Sequence, residues 1–325
     1  MGCVQSRSVE ERPSVTVVGS YNVGLFYKAE RLPSAGETVI GNCFWEGGGG
    51  KGSNQAIAAS RFGARVRFIG KIGSDRYGND ALAMYQRFGV SGDRILIDPE
   101  AHTGISVIFV DQAGRNQIMV VPGANFKLSP EDIDEARPAF AESGIVGFQL
   151  ENPLEVVAYA IRTAHEMGIP TLLDPAPAAS LPESLYAFLD YIKPNETEAT
   201  VLTGIRVCDP ASAAEAGRWL LERGVGTAIV TLGKEGAVLV TRSGVKHYVP
   251  PEVEAVDSTG AGDVFAGALM AALAQGKSVE DAIVFSNQAA ALSVTRLGVI
   301  GAIPTLAEVM DSFVSLRAAA ATAAR

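Results

Sequence analysis

Residues 144–193, GIVGFQLENPLEVVAYAIRTAHEMGIPTLLDPAPAASLPESLYAFLDYIK, alternate short apolar runs with segments of helical character. Strands are predicted at Gly144–Leu150, Thr171–Asp174 and Tyr191–Lys193, with helices between them at 153–167 and near 183–188. Strands and helices that alternate at this spacing are typical of a parallel sheet covered by helices on both faces. The stretch therefore predicts an α/β fold built on a doubly wound, mostly parallel sheet.

The same alternation continues toward both ends of the chain. Further strands are predicted at Ser14–Gly19, Val66–Gly70, Thr227–Leu232 and Ala237–Val240, and further helices from Ser53, at 78–88, at 261–275 and at 279–295. The chain has 325 residues, and α/β chains of this length are regularly built around one core.

Two segments do not follow the alternation. Residues 23–46 break at Pro33, Gly36 and Gly41, which predicts two exposed strands, and residues 102–123 contain a hairpin-like pair. We interpret both as a small β lid inserted into the core. The predicted division is a core of 14–20, 47–101 and 124–316, a lid of 21–46 and 102–123, and flexible tails at 1–13 and 317–325.

The composition excludes several classes of protein. Hydrophobic residues make up 47% and charged residues 19%, which is ample for a folded core, and the net charge of -9 disfavours a nucleic-acid partner. Three cysteines cannot form a disulfide framework, and no apolar run is long enough to span a membrane, so we expect a cytoplasmic protein. Met1–Ser6 fits a myristoylation pattern at Gly2 with Cys3 placed for a second acyl chain, but an unmodified polar leader explains it equally well.

The strongest local motif is Asp257–Asp263, DSTGAGD, directly before a predicted helix. Small residues at a helix start let backbone N–H groups point at one anion, and the helix dipole adds positive charge there. Such a pocket suits a transferring phosphoryl group, and Asp263 at its mouth is placed to act as a general base. A glycine-rich turn whose aspartate only caps the helix fits the same residues.

Two further segments carry polar groups suited to small ligands. Gly47–Gly52 matches a dinucleotide-binding pattern only by position, and its glycines more simply allow the backbone close to a polar ligand that Asn54 could hydrogen-bond. Asn195 and Glu198 lie one helical turn apart, which suits hydrated Mg²⁺ and phosphate or, equally, a capping box. Thr231–Gly236 ends a strand at the edge where α/β sheets bind ligands. The three histidines have no metal-ligand spacing, and no G-x-S-x-G hydrolase motif is present.

Together these segments resemble the ribokinase family of sugar kinases, the PfkB-type carbohydrate kinases, from about Val15 to Pro304. Gly49–Gln55 and Asp257–Ala268 resemble the two family signatures, and Pro194–Glu198 and Thr231–Gly233 resemble its nucleotide-side motifs. The resemblance implies a doubly wound core under a β lid, a homodimer that forms through the lid, and use of ATP with Mg²⁺ and K⁺.

The resemblance also implies a role for each matching residue. Asp263 corresponds to the catalytic base, and Gly260, Ala261 and Gly262 to the anion hole. The sugar-binding positions are Asn22, Gly24, Gly50, Lys51, Gly52, Ser53, Asn54, Glu151 and Asp263. The ATP-binding positions are Asn195, Thr231, Leu232, Gly233, Lys234, Glu235, Gly236, Gly262 and Asn287. Glu198 would hold Mg²⁺ through water, and the monovalent cation would be held, mostly by backbone, at Asp257, Thr259, Ser293, Arg296, Gly298 and Ala302.

The chain departs from the family pattern at two positions. Gly24 stands where the family's Asn-x-Asp motif has a sugar-binding carboxylate, and Ala302 stands where a serine usually completes the cation shell. We expect phosphorylation of a primary sugar hydroxyl, with ribose converted to ribose 5-phosphate. Another sugar or a nucleoside is the alternative, since Gly24 leaves room for a different group. A non-catalytic sensor of sugar or nucleotide is a further alternative, although a sensor has no need of Asp263.

Overall fold

Thirteen strands and ten α-helices make up the part of the chain, residues 13–323, that the computed structural model describes. The strands are β1 (Ser14–Val18), β2 (Asn22–Lys28), β3 (Cys43–Gly49), β4 (Arg65–Gly73), β5 (Val90–Asp98), β6 (Gly104–Val110), β7 (Asn116–Val121), β8 (Ile145–Phe148), β9 (Thr171–Leu173), β10 (Tyr191–Ile192), β11 (Thr227–Thr231), β12 (Ala237–Thr241) and β13 (Gly244–Tyr248). The helices are α1 (Lys51–Arg61), α2 (Arg76–Arg87), α3 (Pro130–Glu135), α4 (Arg137–Ala141), α5 (Leu154–Glu166), α6 (Glu196–Thr203), α7 (Pro210–Glu222), α8 (Ala261–Ala274), α9 (Val279–Ser293) and α10 (Leu306–Ala323). The acylation pattern at Gly2 and Cys3 lies outside the described residues.

The core is one nine-stranded sheet with the order β13-β12-β11-β10-β9-β8-β1-β4-β5. All neighbours from β11 to β5 pair in parallel, and β12 and β13 add an antiparallel edge. This confirms the predicted doubly wound, mostly parallel sheet. Because ligands of open α/β sheets bind beyond the carboxyl ends of the strands, this edge is where a site is expected.

Apolar side chains cover the sheet on both faces. In β1, Val15 and Val17 belong to a buried cluster with residues of α1, α8 and α9, whereas Val18 belongs to a second cluster with residues of α5 and α7. Successive strand residues point to opposite faces, so this β-branched strand is buried on both sides.

A separate four-stranded sheet with the order β3-β2-β6-β7 forms the lid. Its outer pairs are antiparallel, and its central pair, β2 with β6, is parallel. The lid is therefore made of two segments that are distant along the chain but joined by one hydrogen-bonded ladder.

Two boundaries differ from the sequence-based division. The core was predicted to resume at residue 47, whereas β3 continues to Gly49, where its backbone pairs with that of Asn22. Glycine is disfavoured in strands, so the glycine run indicated a loop, but cross-strand pairing with β2 keeps it extended. A tail was predicted from residue 317, whereas α10 continues to Ala323 through an alanine-rich stretch that favours helix. No described helix has the length and apolar character needed to cross a bilayer.

Candidate active site

The site forms where the first turns of α1 and α8 meet beyond the strand ends. The two helices approach so closely that a Cβ atom on Gly267 would lie 2.6 Å from the Cβ of Ala58 and 2.6 Å from the carbonyl oxygen of Gln55. Real Cβ atoms do not come this close, so glycine is required here for the helices to cross at this distance. The crossing brings Asp263, in the first turn of α8, next to Asn54 and Gln55 of α1.

Asp263 is buried, with 7% of its surface exposed, and both of its carboxylate oxygens are hydrogen-bonded. Asn54 Nδ2 donates to Oδ2 at 2.8 Å, and Gln55 Nε2 donates to Oδ1 at 3.2 Å. Burial raises the pKa of Asp263, and the Asp174 carboxylate adds to this, while Lys51 and the two amide donors oppose it. The group is thus an oriented carboxylate that binds a proton more readily than an exposed aspartate does.

The backbone before α8 has the form predicted for an anion pocket. Gly260 precedes the helix with φ of 79°, and the Ala261 N–H donates to the Ser258 carbonyl at 3.2 Å. Within residues 13–323, the N–H groups of Gly262 and Asp263 have no acceptor, as expected for the first turn of a helix. These two N–H groups are available to an anion.

Glu151 is the centre of a second polar group, on the lid side of Asp263. Its Oε2 accepts hydrogen bonds from the Ser20 hydroxyl, from the Lys51 backbone N–H at 2.9 Å and from Asn22 Nδ2 at 3.4 Å. Asn125, which sequence reasoning did not select, donates from Nδ2 to Asn22 Oδ1 at 3.0 Å and orients that amide. The predicted sugar-side residues Asn22, Lys51 and Glu151 are therefore in contact.

Gly50 joins the lid to α1 in a conformation reserved for glycine. Its φ and ψ are 91° and 136°, and an added Cβ would lie 2.7 Å from the Asn22 nitrogen and 2.8 Å from the Ser20 carbonyl oxygen. Both neighbours are backbone atoms that cannot rotate away. Close packing of the chain at this point places Asn22 opposite the start of α1.

The side-chain space at Gly24 is occupied by an aromatic ring. Gly24 is buried, and an added Cβ would lie 2.7 Å from Cε2 of Phe26. Phe26 in turn stacks on Trp45, with ring centroids 4.9 Å apart and an angle of 5° between the planes. Residues 22, 24 and 26 point to the same face of β2, so this face continues from the polar Asn22 to an apolar ring pair.

Lys51 lies in a strongly acidic environment. Burial by itself would lower the pKa of its ammonium group, but the surrounding carboxylates outweigh burial and raise that pKa above its ordinary value. The carboxylates are those of Asp263, Asp174, Glu151 and Glu198. A fixed positive charge therefore stands among the acidic groups of the site.

The nucleotide-side segments lie next to each other at the ends of β10 and β11. Asn195 and Glu198 form a capping box, in which Asn195 N donates to Glu198 Oε2 at 2.8 Å and Glu198 N donates to Asn195 Oδ1 at 2.9 Å. The Thr231 N–H donates to the Pro194 carbonyl at 2.9 Å. Burial, together with Asp174, raises the pKa of Glu198. The capping alternative is thus present in the structure, and the same two side chains also adjoin the charged centre of the site.

Asn287 lies at a cavity of about 440 Å³ beyond these segments. Its Nδ2 donates to the Tyr248 carbonyl at 2.9 Å. The cavity wall combines apolar and polar groups, which belong to His247, Tyr248, Val249, Pro250, Pro251, Val284, Asn287, Gln288 and Phe313. Its size and lining suit a planar heteroaromatic group.

The residues predicted to hold a monovalent cation lie around Asp257. Asp257 Oδ1 accepts from the Thr259 N–H at 2.9 Å and Oδ2 from the Gly298 N–H at 3.0 Å. Burial opposes the effect, but these hydrogen bonds lower the pKa of Asp257 and keep it ionised. The Arg296 guanidinium is directed to Glu308, at 2.6 Å, so only its backbone is available to an ion. Ala302 is buried and offers no side-chain oxygen.

Three buried polar residues next to Asp263 were not among the predicted site residues. Gln55 Nε2 donates to Asp174 Oδ2 at 2.8 Å, and Lys193 Nζ forms an ion pair with Asp174 Oδ1 at 3.0 Å. Asp174 and Lys193 directly follow β9 and β10. An acidic and a basic residue at the carboxyl ends of adjacent parallel strands are the signal that could have indicated them.

Comparison with known proteins places these features in a family. Residues 12–306 match the family described as pfkB family carbohydrate kinase. The chain is 38% identical over 297 residues to the ribokinase of Staphylococcus aureus (strain COL), covering 91% of this chain and 98% of that protein. It is 36% identical over 303 residues to the deoxyribokinase of Salmonella typhi, covering 93% and 99%. The structure of Arabidopsis thaliana ribokinase complexed with ribose and ATP matches with a TM-score of 0.85 at 30% identity, over 92% of this chain and 98% of that one.

Proposed function

This chain belongs to the pfkB family of carbohydrate kinases, and we propose that it transfers the γ-phosphoryl group of ATP to the primary hydroxyl of ribose. The products are ribose 5-phosphate and ADP. The observation that carries the proposal is the buried, doubly hydrogen-bonded Asp263 carboxylate beside two free N–H groups at the start of α8. Its similarity to ribokinases over nine-tenths of the chain supports ribose as the sugar.

In the proposed mechanism Asp263 is the general base. Its carboxylate takes the proton of the sugar hydroxyl as that oxygen attacks the γ-phosphorus, and the bond between the γ-phosphorus and the bridging oxygen breaks to release ADP. Negative charge on the transferring group is stabilised by the N–H groups of Gly262 and Asp263, with Gly260 and Ala261 shaping the hole. The proton bound by Asp263 then leaves to solvent.

The groups around Glu151 are proposed to hold the sugar. Carboxylate and amide oxygens accept from sugar hydroxyls, and the amide N–H groups of Asn22 and Asn54 donate to them. Gly50 and Gly52 admit the backbone close to the ring, with Ser53 and the Lys51 charge nearby. Holding the sugar at fixed distance from Asp263 contributes as much to rate as the base itself.

ATP is proposed to lie between the cavity at Asn287 and the start of α8. Asn195 and the segment Thr231–Gly236 line the path from one to the other. Mg²⁺ bound to the phosphates supplies charge neutralisation during transfer. Because both oxygens of Glu198 accept from Asn195, Glu198 fits a metal ion held through water rather than by direct ligation.

The lid is proposed to form a homodimer contact. Large apolar side chains stand exposed on it, at Tyr27, Phe44, Trp45, Ile118, Met119 and Val120. Contiguous exposed apolar groups of this kind mark protein interfaces more often than free surface. A cytoplasmic location remains a prediction from the cysteine content.

A panel of acceptors tests the substrate proposal. We expect ribose to be phosphorylated with ATP, and 2-deoxyribose to be accepted within about 100-fold of ribose in kcat/KM, because no carboxylate at position 24 reads a hydroxyl there. Nucleosides are expected to be poorer than both. Formation of ADP, coupled to a second enzyme, measures each rate. A nucleoside turned over faster than any free sugar would contradict the assignment, and no turnover on any acceptor would favour the sensor.

Monovalent cations test the site at Asp257. We expect a higher rate in potassium chloride than in sodium chloride at equal ionic strength, since carbonyl oxygens around Asp257 suit the larger, less strongly hydrated ion. Ala302 contributes no side-chain oxygen, so the effect is expected to be modest. Equal rates in the two salts would remove the cation from the proposal and leave the sugar and ATP sites unaffected.

A further inference from the structure

We propose that Gln55 is a positioning residue for the base, held in place by Gln149 and by the buried Asp174–Lys193 ion pair. This inference rests on the proposed role of Asp263. It assigns a function to four buried polar residues that do not themselves reach the reacting atoms. The group formed by Gln55, Gln149, Asp174 and Lys193 is called the support network below.

A single amide nitrogen connects two carboxylates in this network. Gln55 Nε2 donates one N–H to Asp174 Oδ2 at 2.8 Å and the other to Asp263 Oδ1 at 3.2 Å. An amide NH₂ has two donors, so both are used. The position of the Asp263 oxygen is therefore tied to that of Asp174.

The orientation of the Gln55 amide is set from its other side. Gln149 Nε2 donates to Gln55 Oε1 at 2.7 Å. A flipped Gln55 would turn its oxygen toward two carboxylates and its NH₂ toward another NH₂, losing all three hydrogen bonds. Gln55 and Gln149 are both completely buried, so no water replaces those bonds.

Asp174 is itself anchored by charge. It is 2% exposed and pairs with Lys193, which is 3% exposed, at 3.0 Å. Lys193 Nζ also lies 3.4 Å from the carbonyl oxygen of Gly262, in the first turn of α8. The network thus connects the ends of β9 and β10 to the two helix starts that carry the site.

Without Gln55, Asp263 would keep one hydrogen bond, from Asn54, and its carboxylate could rotate about the bond to Cβ. A general base requires a fixed lone pair directed at the hydroxyl, and a displacement of about 1 Å can cost about 100-fold in rate. The network therefore acts on the chemical step and has no contact through which to act on ATP.

The charged groups around Asp263 determine how its titration responds. Lys51 faces it from α1, Asp174 from the end of β9, and Lys193 stands behind Asp174 at the end of β10. Removing a donor from a carboxylate makes protonation easier, whereas removing a neighbouring negative charge makes it harder. Gln55 and Asp174 variants are therefore expected to move the acid limb of the pH–rate profile in opposite directions.

The test compares Gln55→Met and Asp174→Asn in the full chain. Gln55→Met is expected to lower the single-turnover rate by about 10- to 100-fold, with KM for ATP and sugar changed less than about threefold, and to shift the acid limb to higher pH. Asp174→Asn is expected to shift that limb to lower pH. Thr16→Val, which removes a buried hydroxyl contact to Ser143 within the core, is the matched control and should leave the profile unchanged.

Three outcomes separate this inference from the proposed function. Thermal melting of each variant first shows that it is folded. If Asp263→Asn is inactive while a folded Gln55→Met retains the native rate and pH profile, the support network has no positioning role. Shifts of both variants in the same direction overturn it as well. If Asp263→Asn itself remains active, the failure lies in the assignment of the base.

Discussion

Replacing Asp263 with asparagine is expected to lower turnover by about 10²- to 10⁴-fold, the range that a general base contributes. The amide cannot accept the hydroxyl proton, so attack on phosphorus must begin from a neutral alcohol. ATP affinity should change less than about twofold, because the nucleotide-side segments at Asn195 and Thr231 do not contact Asp263 directly. Steady-state turnover and calorimetric titration with ATP measure the two quantities.

Asp263→Ala is the necessary companion to this variant. In Asp263→Asn the new NH₂ group faces an amide donor from Asn54 or Gln55, so some loss could arise from that contact alone. Alanine removes both the base and the contact. The proposal requires both variants to be inactive with ATP binding retained, and turnover within tenfold of the native rate in either one would exclude Asp263 as the base.

Gly50→Ala is expected to reduce both stability and sugar binding. Its backbone conformation costs a residue with a Cβ about 1–3 kcal/mol, and overlap with the Asn22 and Ser20 backbone adds a further 1–3 kcal/mol, roughly. Relief of the overlap moves the start of α1 away from Asn22, which separates the sugar-side groups. Chemical denaturation reports the loss of stability, and KM for the sugar should increase while KM for ATP stays near its native value.

Gly47→Ala provides a matched control within the same glycine run. No atom lies within 4 Å of an added Cβ at Gly47, and its backbone is extended. Its free energy of unfolding should stay within about 0.5 kcal/mol of the native value, as for an unconstrained surface position. Equal effects of the two substitutions would mean that the run tolerates or rejects side chains generally, contrary to the geometry at Gly50.

The sheet could be predicted from sequence because its signals are local. Short β-branched strands alternate with helices from Ser14 to Ser293, and each of these elements is recognisable from its own residues. The anion pocket was also predictable, since Asp257–Asp263 combines glycines, a helix start and an acidic residue within one turn. These features depend on neighbours along the chain.

The rest of the site depends on residues that are distant in sequence. Nothing near Gln55 indicates that its amide reaches Asp174, 119 positions away, because that contact exists only after the sheet and two helices have packed. The extension of β3 to Gly49 is similar, since its pairing partner Asn22 lies in another segment. Asn195 and Glu198 illustrate a different limit, because one pair of side chains both caps α6 and adjoins the charged centre.

The close crossing of α1 and α8 at Gly267 has a consequence for how the protein is made. Asn54 and Asp263 are separated by 209 positions, so α1 leaves the ribosome long before its partner helix has been synthesised. During that interval Asn54 and Gln55 have no carboxylate to bind, and the emerging chain carries the sugar-side residues without a base. Catalytic competence thus arrives late in synthesis, and an incomplete chain cannot consume ATP.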